Sequence, residues 1–322
     1  MVSFIMRRLL HAIPLMLLIC LFTFFLIDIA PGDFLTQMSL DPQISQKSIE
    51  AMRVKFGLDR PWYVQYLLWL ENVVLHFDFG LSLSYKVPVF SLIKVRLANT
   101  LLLAVTAAVI TWVVAIPFGV LAAWKKNSPV DRGLSFVSYF GLSMPEVLSA
   151  LLLLLFAAKS GLFPTGGMRS IDYESFSMSG KVFDILHHLF LPALVLGIVP
   201  VASRMRQMRA NLLEALSSDH VSYARAKGLP ERVVVLKHAL RGALNPMVTM
   251  FGYTIAALLS GSLLVEVIMS WPGLGRLTVE SLRAQDLYLT MGAVLTSSMM
   301  LILGNLVADI LLAVLDPRIR ER

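Results

Sequence analysis

The fold class this sequence predicts is all-α: a polytopic membrane protein with six transmembrane helices. Three observations carry that expectation. Of 322 residues, 57% are hydrophobic and 15% charged, and mean hydropathy is +0.74. Soluble domains run about 45–50% apolar and about 25% charged. Several apolar runs reach the roughly 20 residues that a helix needs to cross hydrocarbon. The basic residues, finally, are bunched between those runs. The composition excludes a disordered chain, a solenoid of soluble repeats and most soluble enzymes. A net charge of +7 would suggest nucleic acid in a soluble protein. Here it fits Lys and Arg retained on the cytoplasmic side of a membrane. The single cysteine, Cys20, allows no intrachain disulfide and reads as a small packing residue in an apolar run.

The elements follow in order. Leu9–Ile29 is the first span. Its basic start imitates a secretory signal, but the apolar run is too long and Asp28 and Pro31 stand where a cleavage site would, so it reads as uncleaved. Pro31–Asn99 is a long insertion. Within it Phe56–Pro61 reads as a turn, and Trp62–Leu75 as an amphipathic helix whose Trp and Tyr suit an interface. Thr100–Trp124 is the second span, with Pro117 inside. Leu134–Ala158 is the third; Pro145 kinks it and Glu146 follows. The fourth is the weakest, because Leu189–Ala202 is only 14 residues long and holds Pro192 and Pro200. Extended to Ile185–Ser203 it takes in His187 and His188. Met247–Met269 is the fifth, with Glu266 near its end, and Leu289–Leu315 the sixth, with Asp309 near its end.

Charge decides the weak case. Arg7 and Arg8, then Lys125, Lys126 and Arg132, then the eight Lys/Arg within Arg204–Arg241, then Arg318, Arg320 and Arg322 all fall on one side if there are six spans. The two short opposite loops then hold only Lys159, Arg169, Lys181, Arg276 and Arg283. With five spans the basic tail would lie outside. Six spans with both ends cytoplasmic is the reading. The insertion carries seven more Lys/Arg but is long enough to escape the rule, and it is placed outside.

Self-contained chemistry is absent from the sequence. There is no G-x-x-x-x-G-K-[ST]; Ser179-Gly180-Lys181-Val182 is the nearest fragment, and it lacks the first glycine and the hydroxyl. The six histidines make no H-E-x-x-H, and adjacent His187 and His188 point about 100° apart on a helix. No G-x-S-x-G elbow occurs. The chain is not expected to be an enzyme or to bind a metal or cofactor.

The loop between spans four and five is the most informative stretch. Asp219 is a good N-cap for a short helix at Val221–Lys227. Gly228 can take the left-handed stop after it. Pro230 fits the first turn of the next helix, with Glu231 favourable at the positive end. That helix places Val233, Leu236, Leu240 and Leu244 on one side and Lys237 and Arg241 on another. Tyr223 and Ala224 for packing, with Arg225 and Lys227 for charge, suit a helix that docks into a partner's groove. An ordinary basic loop held by anionic headgroups fits the same residues.

Tyr-Ala-Arg-Ala-Lys-Gly-Leu at 223–229, then Lys-His-Ala-Leu-Arg at 237–241, resembles the coupling loop of binding-protein-dependent ABC importer permeases, in particular the dipeptide/oligopeptide/nickel branch. The general pattern is E-A-A-x-x-x-G, nine residues, then I-x-L-P. Ser222-Tyr223-Ala224 stand at E-A-A, and Ala224, Gly228 and Leu240 match the general form. Other stretches agree: Arg7-Arg8-Leu9 with Ile29–Asp33; Gly57–Pro61, Gln65-Tyr66 and Asp78-Phe79-Gly80; Val265-Glu266 with Ser270–Gly275; and Asp316–Arg320. The long insertion is like that of the first of the two permease subunits in this branch. The resemblance implies a type I importer permease fold with a periplasmic insertion. It implies a homologous second permease, two ATP-binding subunits that hold ATP and Mg, and an extracytoplasmic binding protein that delivers peptide. It implies an ATPase-coupling site at Ser222, Tyr223, Ala224, Arg225, Lys227, Gly228 and Leu229. Nickel or another small solute stays open as substrate. The domain organisation expected is 1–98 for the first helix and insertion, 99–316 for the core with its coupling loop at 204–244, and 317–322 for a cytoplasmic tail.

Polar residues in the spans need an account, since a carboxylate near mid-membrane costs about 2.5–3.5 kcal/mol. Ser298, Asn305 and Asp309 fall within about 40° of one another at 100° per residue, so the stripe should face the helix bundle. It reads either as a lining of the substrate path or as a hydrogen-bonded seam between helices. Glu146 reads as a substrate contact or as a partner for a neighbouring helix. In a stand-alone proton-driven carrier, Asp309 and Glu146 would be the proton sites; no internal repeat supports that alternative. Gly252, Ala256 and Ser260, with Ala257 and Gly261, form a small-residue pattern that permits close helix approach, internally or to a second subunit.

Overall fold

The computed structural model describes residues 2–39 and 44–315, and the side chains of these except at 2–5, 9, 37, 249, 255, 256, 260, 261 and 311–315. Helix α1 runs over Val2–Ile29, followed by short α2 (Phe34–Met38), α3 (Gln46–Lys55) and α4 (Trp62–His76). Then come α5 (Val89–Trp124), α6 (Pro129–Ser143), α7 (Glu146–Ser160) and α8 (Met178–Leu216). Helix α9 (Asp219–Ala226) follows. Helix α10 (Glu231–Val233) runs through a π-helical segment, Val234–Ala239, into α11 (Leu240–Gly261). Helices α12 (Leu263–Ile268), α13 (Leu274–Arg283) and α14 (Leu287–Leu315) follow. Among the described residues there is no strand, only an isolated bridge between Leu81 and Pro88.

Among the described residues four stretches are long and apolar enough to cross a membrane: Met6–Thr36, Val89–Trp124, Met178–Leu216 and Leu287–Ile310. Two bent pairs qualify only as pairs, so there are six spans when each pair counts as one. The first pair corrects an expectation. Leu134–Ala158 is not one kinked helix, because α6 and α7 lie 105° apart. A proline pushes the residue before it out of the α region. Met144 is accordingly extended (φ −80°, ψ 120°), and α7 starts afresh at Glu146. The fifth span is also broken: α11 ends at Gly261 and α12 is separate, while Glu231–Val248 and Met250–Leu259 meet at 45°. The fourth is the reverse case. Pro192 and Pro200 leave α8 a continuous helix of 39 residues, which keeps Arg204–Leu216, expected in the loop, helical. Dense burial around Pro192, at Leu189, Leu191, Ala193, Val195 and Leu196, offsets the hydrogen bond it removes.

The chain divides into two compact units. One comprises Val2–Thr100 and Pro272–Ile302. Its core joins Cys20, Phe24, Tyr66, Trp69, Leu287 and Met291, and Cys20 is only 1% exposed. The expected turn is present, with Gly57 at φ +67°, and so is the helix after it, whose Tyr66 hydroxyl donates to the Leu17 carbonyl at 3.1 Å. The anchor of this unit is Asp286, which is fully buried. Its Oδ2 accepts from Ser82 Oγ (2.7 Å), Ser84 N (2.9 Å) and Ser84 Oγ (2.6 Å), and its Oδ1 from Leu289 N (3.2 Å).

The second unit comprises Leu101–Trp271 and the residues from Leu303. One core gathers Leu103, Ala107, Ala150, Leu189, Val195, Val265 and Trp271; another lies beneath α9. Small residues set the helix spacings. A Cβ on Gly119 would come within 2.8 Å of the Met205 carbonyl oxygen, and one on Gly141 within 3.3 Å of Ala202 Cβ. A Cβ on Gly252 would overlap the backbone of Ala308, so this member of the small-residue pattern serves an internal contact between α11 and α14. Ala256, Ser260 and Gly261 lie outside the described side chains, and the tail from Asp316 lies outside the described residues.

Candidate functional site

The loop after α8 is ordered by an apolar cluster. Val221 and Ala224, on one face of α9, pack with Met208 and Leu212 of α8, Val234, Val235 and Ala239 of the π segment, Ala243 and Met247 of α11, and Val120 and Ala123 of α5. Val221, fully buried, contributes about 1.5–3 kcal/mol on its own. The helix starts at Asp219 with Ser218 as its N-cap, one residue before the expected cap. It ends as expected: Gly228 has φ +76°, and a Cβ there would meet nothing within 4 Å. Glycine is required there by its backbone and not by space.

The π segment corrects the face expected of the next helix. Leu236 is half exposed, while Val234, Val235, Ala239, Ala243 and Met247 are buried. A π turn takes in one more residue than an α turn, which moves the inward face off the 3.6-residue projection. Lys237 and Arg241 remain exposed together. With His220, His238, Gly242 and Asn245 they line an open cleft of about 410 Å³.

The coupling-loop residues are brought together, but their charges are engaged within the chain. Arg225 donates to Glu231 through Nε (3.2 Å) and Nη2 (2.7 Å), and through Nη1 to the Leu216 carbonyl (3.3 Å). It thereby ties the end of α8, α9 and the start of α10. Hydrogen bonding from Arg225 holds the Glu231 carboxyl below the usual carboxylate range. Lys227 lies over the Tyr223 ring, 4.6 Å from its centroid. The surface left outward is Ser222, Tyr223 at 64% exposed, and Leu229 at 37%.

A second clamp, which sequence reasoning did not find, steadies α8 below this helix. Arg209 donates to both oxygens of buried Asp131, at 2.7 and 2.8 Å, and Asp131 also accepts from the Asn127 amide at 2.9 Å. The partners are 78 positions apart, so no local signal exposes the pair.

The four substrate-path residues stand on two helices, α7 and α14. Glu146 opens α7 at the break, and its Oε1 is buried with no hydrogen-bond partner. On α14, Asp309 is buried, Ser298 half-buried and Asn305 exposed. Within the chain the stripe is thus closed over at Asp309 and open at Asn305. Among the described residues no three His, Cys, Asp or Glu side chains are grouped to hold a metal.

Residues 115–321 match the family described as the inner membrane component of binding-protein-dependent transport systems, and residues 1–104 match the N-terminal part of such membrane components. The oligopeptide transport system permease protein AppB of Bacillus subtilis is 43% identical over 321 residues, covering 99% of both chains. The dipeptide transport system permease protein DppB of Escherichia coli K12 is 37% identical over 339 residues, covering all of both.

Proposed function

The chain belongs to the family of inner membrane components of binding-protein-dependent transport systems, and on that premise we propose that it is a permease subunit of an ATP-driven peptide importer. It is a multi-pass membrane transport subunit and not an enzyme. Membership of this family stands against the proton-driven carrier. The peptide substrate is supported by two relatives named as oligopeptide and dipeptide permeases, alike from end to end.

In this reading six spans cross the membrane with both termini cytoplasmic, and the segment from Pro31 to Asn99 lies outside. A homologous permease supplies the other half of the path. Two ATP-binding subunits sit below, and a binding protein delivers peptide from outside. The observation that carries the coupling assignment is α9 itself. It is fixed to α5, α8 and α11 on its inner face by Val221 and Ala224 and presents Tyr223 outward. Movement of an ATPase against Tyr223, Ser222 and Leu229 passes into the spans because α9 packs as one body with their ends. Arg225 and Gly228 act here by setting the position of α9, and Lys227 by steadying Tyr223. Alternating access then follows as α9 shifts with the ATPases.

Pull-down of the tagged chain in mild detergent, with peptide uptake in cells, tests this. Wild type should bring down a second permease and one or two ATPases. Gly228→Asp should leave the chain folded but abolish uptake. Unchanged uptake with an intact complex would remove the coupling role from this loop.

A further inference from the structure

The cleft at the foot of α11 lies along the coupling loop, but none of its lining residues is among those assigned to ATPase coupling. Its lining of His220, Lys237, His238, Arg241, Gly242 and Asn245 contains two full positive charges, two imidazoles and a carboxamide, and no carboxylate. Among the described residues neither Lys237, His238 nor Arg241 has an acidic partner, whereas Arg209, Arg225 and Arg276 all do. The neighbouring acid Glu231 is already taken by Arg225. Lys237, Arg241 and Asn245 recur every four residues, so their side chains rise along one side of the chain, and His220 closes the cleft from the first turn of α9. Unpaired cations converging on a concave surface, with amide donors beside them, suit a tetrahedral phosphate group.

The place of the cleft decides which phosphate. Arg241 and Asn245 stand in the first two turns of α11, ahead of its apolar stretch, which the proposed function reads as the fifth span. Val248 and Phe251, one and two turns on, are each 38% exposed on the chain and offer an apolar path. A cationic cleft at the end of a span is at headgroup depth, where basic side chains meet anionic lipid. We propose that this cleft binds the phosphate of an anionic phospholipid headgroup, with Lys237 and Arg241 as its charged ligands and its acyl chains lying along Val248 and Phe251.

Native mass spectrometry tests this on the complex purified in mild detergent, exposed in turn to phosphatidylglycerol, phosphatidylcholine and inorganic phosphate. Wild type should retain phosphatidylglycerol in preference to phosphatidylcholine. Lys237→Gln with Arg241→Gln should lower that retention about thirtyfold, while Lys125→Gln with Lys126→Gln should not change it. Gly242→Asp gives an independent variant. A Cβ there meets nothing within 4 Å, so the carboxylate enters the cleft without a clash and should reduce retention similarly. Retention unchanged in both cleft variants would overturn the proposal. So would displacement of the lipid by millimolar inorganic phosphate, which would make the ligand a soluble anion. Loss of an ATPase from the variants with lipid retention intact would assign the cleft to a protein contact and equally overturn it.

Discussion

Around Asp286, four hydrogen bonds converge on one buried carboxylate and fix residues 82–84 to the start of α14. Around α9 the fixing is apolar: Val221 and Ala224 are buried, and the polar ties are the half-exposed Arg225–Glu231 pair and a single carbonyl. The first arrangement is costly to disturb, because removing one group strands several buried donors at once. The second can be repositioned, because apolar contact is non-directional and an exposed pair is worth little. One region is built to stay, the other can shift.

That contrast is sharpened or broken by a series of variants. Asp286→Ala should have the largest effect, lowering stability by about 3 kcal/mol or more as Ser82 and Ser84 lose their acceptor. Thermal unfolding in detergent measures it, and uptake per folded complex should be kept. Arg209→Ala comes next, at about 2 kcal/mol, because it strands buried Asp131 while its own side chain is partly solvated. Gly228→Val should cost about 1–2 kcal/mol for a β-branched residue at positive φ, yet reduce uptake far more than that loss explains.

Arg225→Ala should cost no more than about 1 kcal/mol, with a definite pH signature. The Glu231 carboxyl is held below its ordinary value in the folded chain. Its contribution is therefore present above the unfolded value of about 4.3 and disappears as pH falls through the folded one. The stability gap between wild type and variant should be seen at neutral pH and close in acid. Tyr223→Ala should be the smallest in stability, within about 0.5 kcal/mol for an exposed side chain, and should nonetheless abolish coupled uptake. A large stability loss at Tyr223, or a pure uptake loss at Asp286, would invert the comparison.

What could be read from the sequence divides along the same line. Gly228, the helix before it and the turn at Phe56–Pro61 are local features, written in neighbouring residues, and all three were expected. The spans were visible as apolar runs. Their ends were not, because Pro145 splits one and Pro192 and Pro200 fail to split another; only packing around each proline decides. Asp286 drew no notice, since its serine partners lie more than 200 positions away. The π segment was hidden because a helical projection assumes a constant turn, and one such interruption reassigned Leu236 from the inside to the outside. At α9 the residue types were legible, but the contacts of Arg225 with Glu231 and of Lys227 with the Tyr223 ring were not.

The buried thiol has a practical consequence. Cys20 is the chain's single cysteine and is closed off in the core with Phe24, Tyr66 and Trp69. A water-borne maleimide should pass over the native chain and react only where a new cysteine is placed. Ala226→Cys, at an exposed position on α9, would thus carry a spin label or fluorophore at one defined spot, without first stripping the protein of its own sulfhydryl. The motion of α9 during a transport cycle can be watched in a chain that differs from the natural one at a single position.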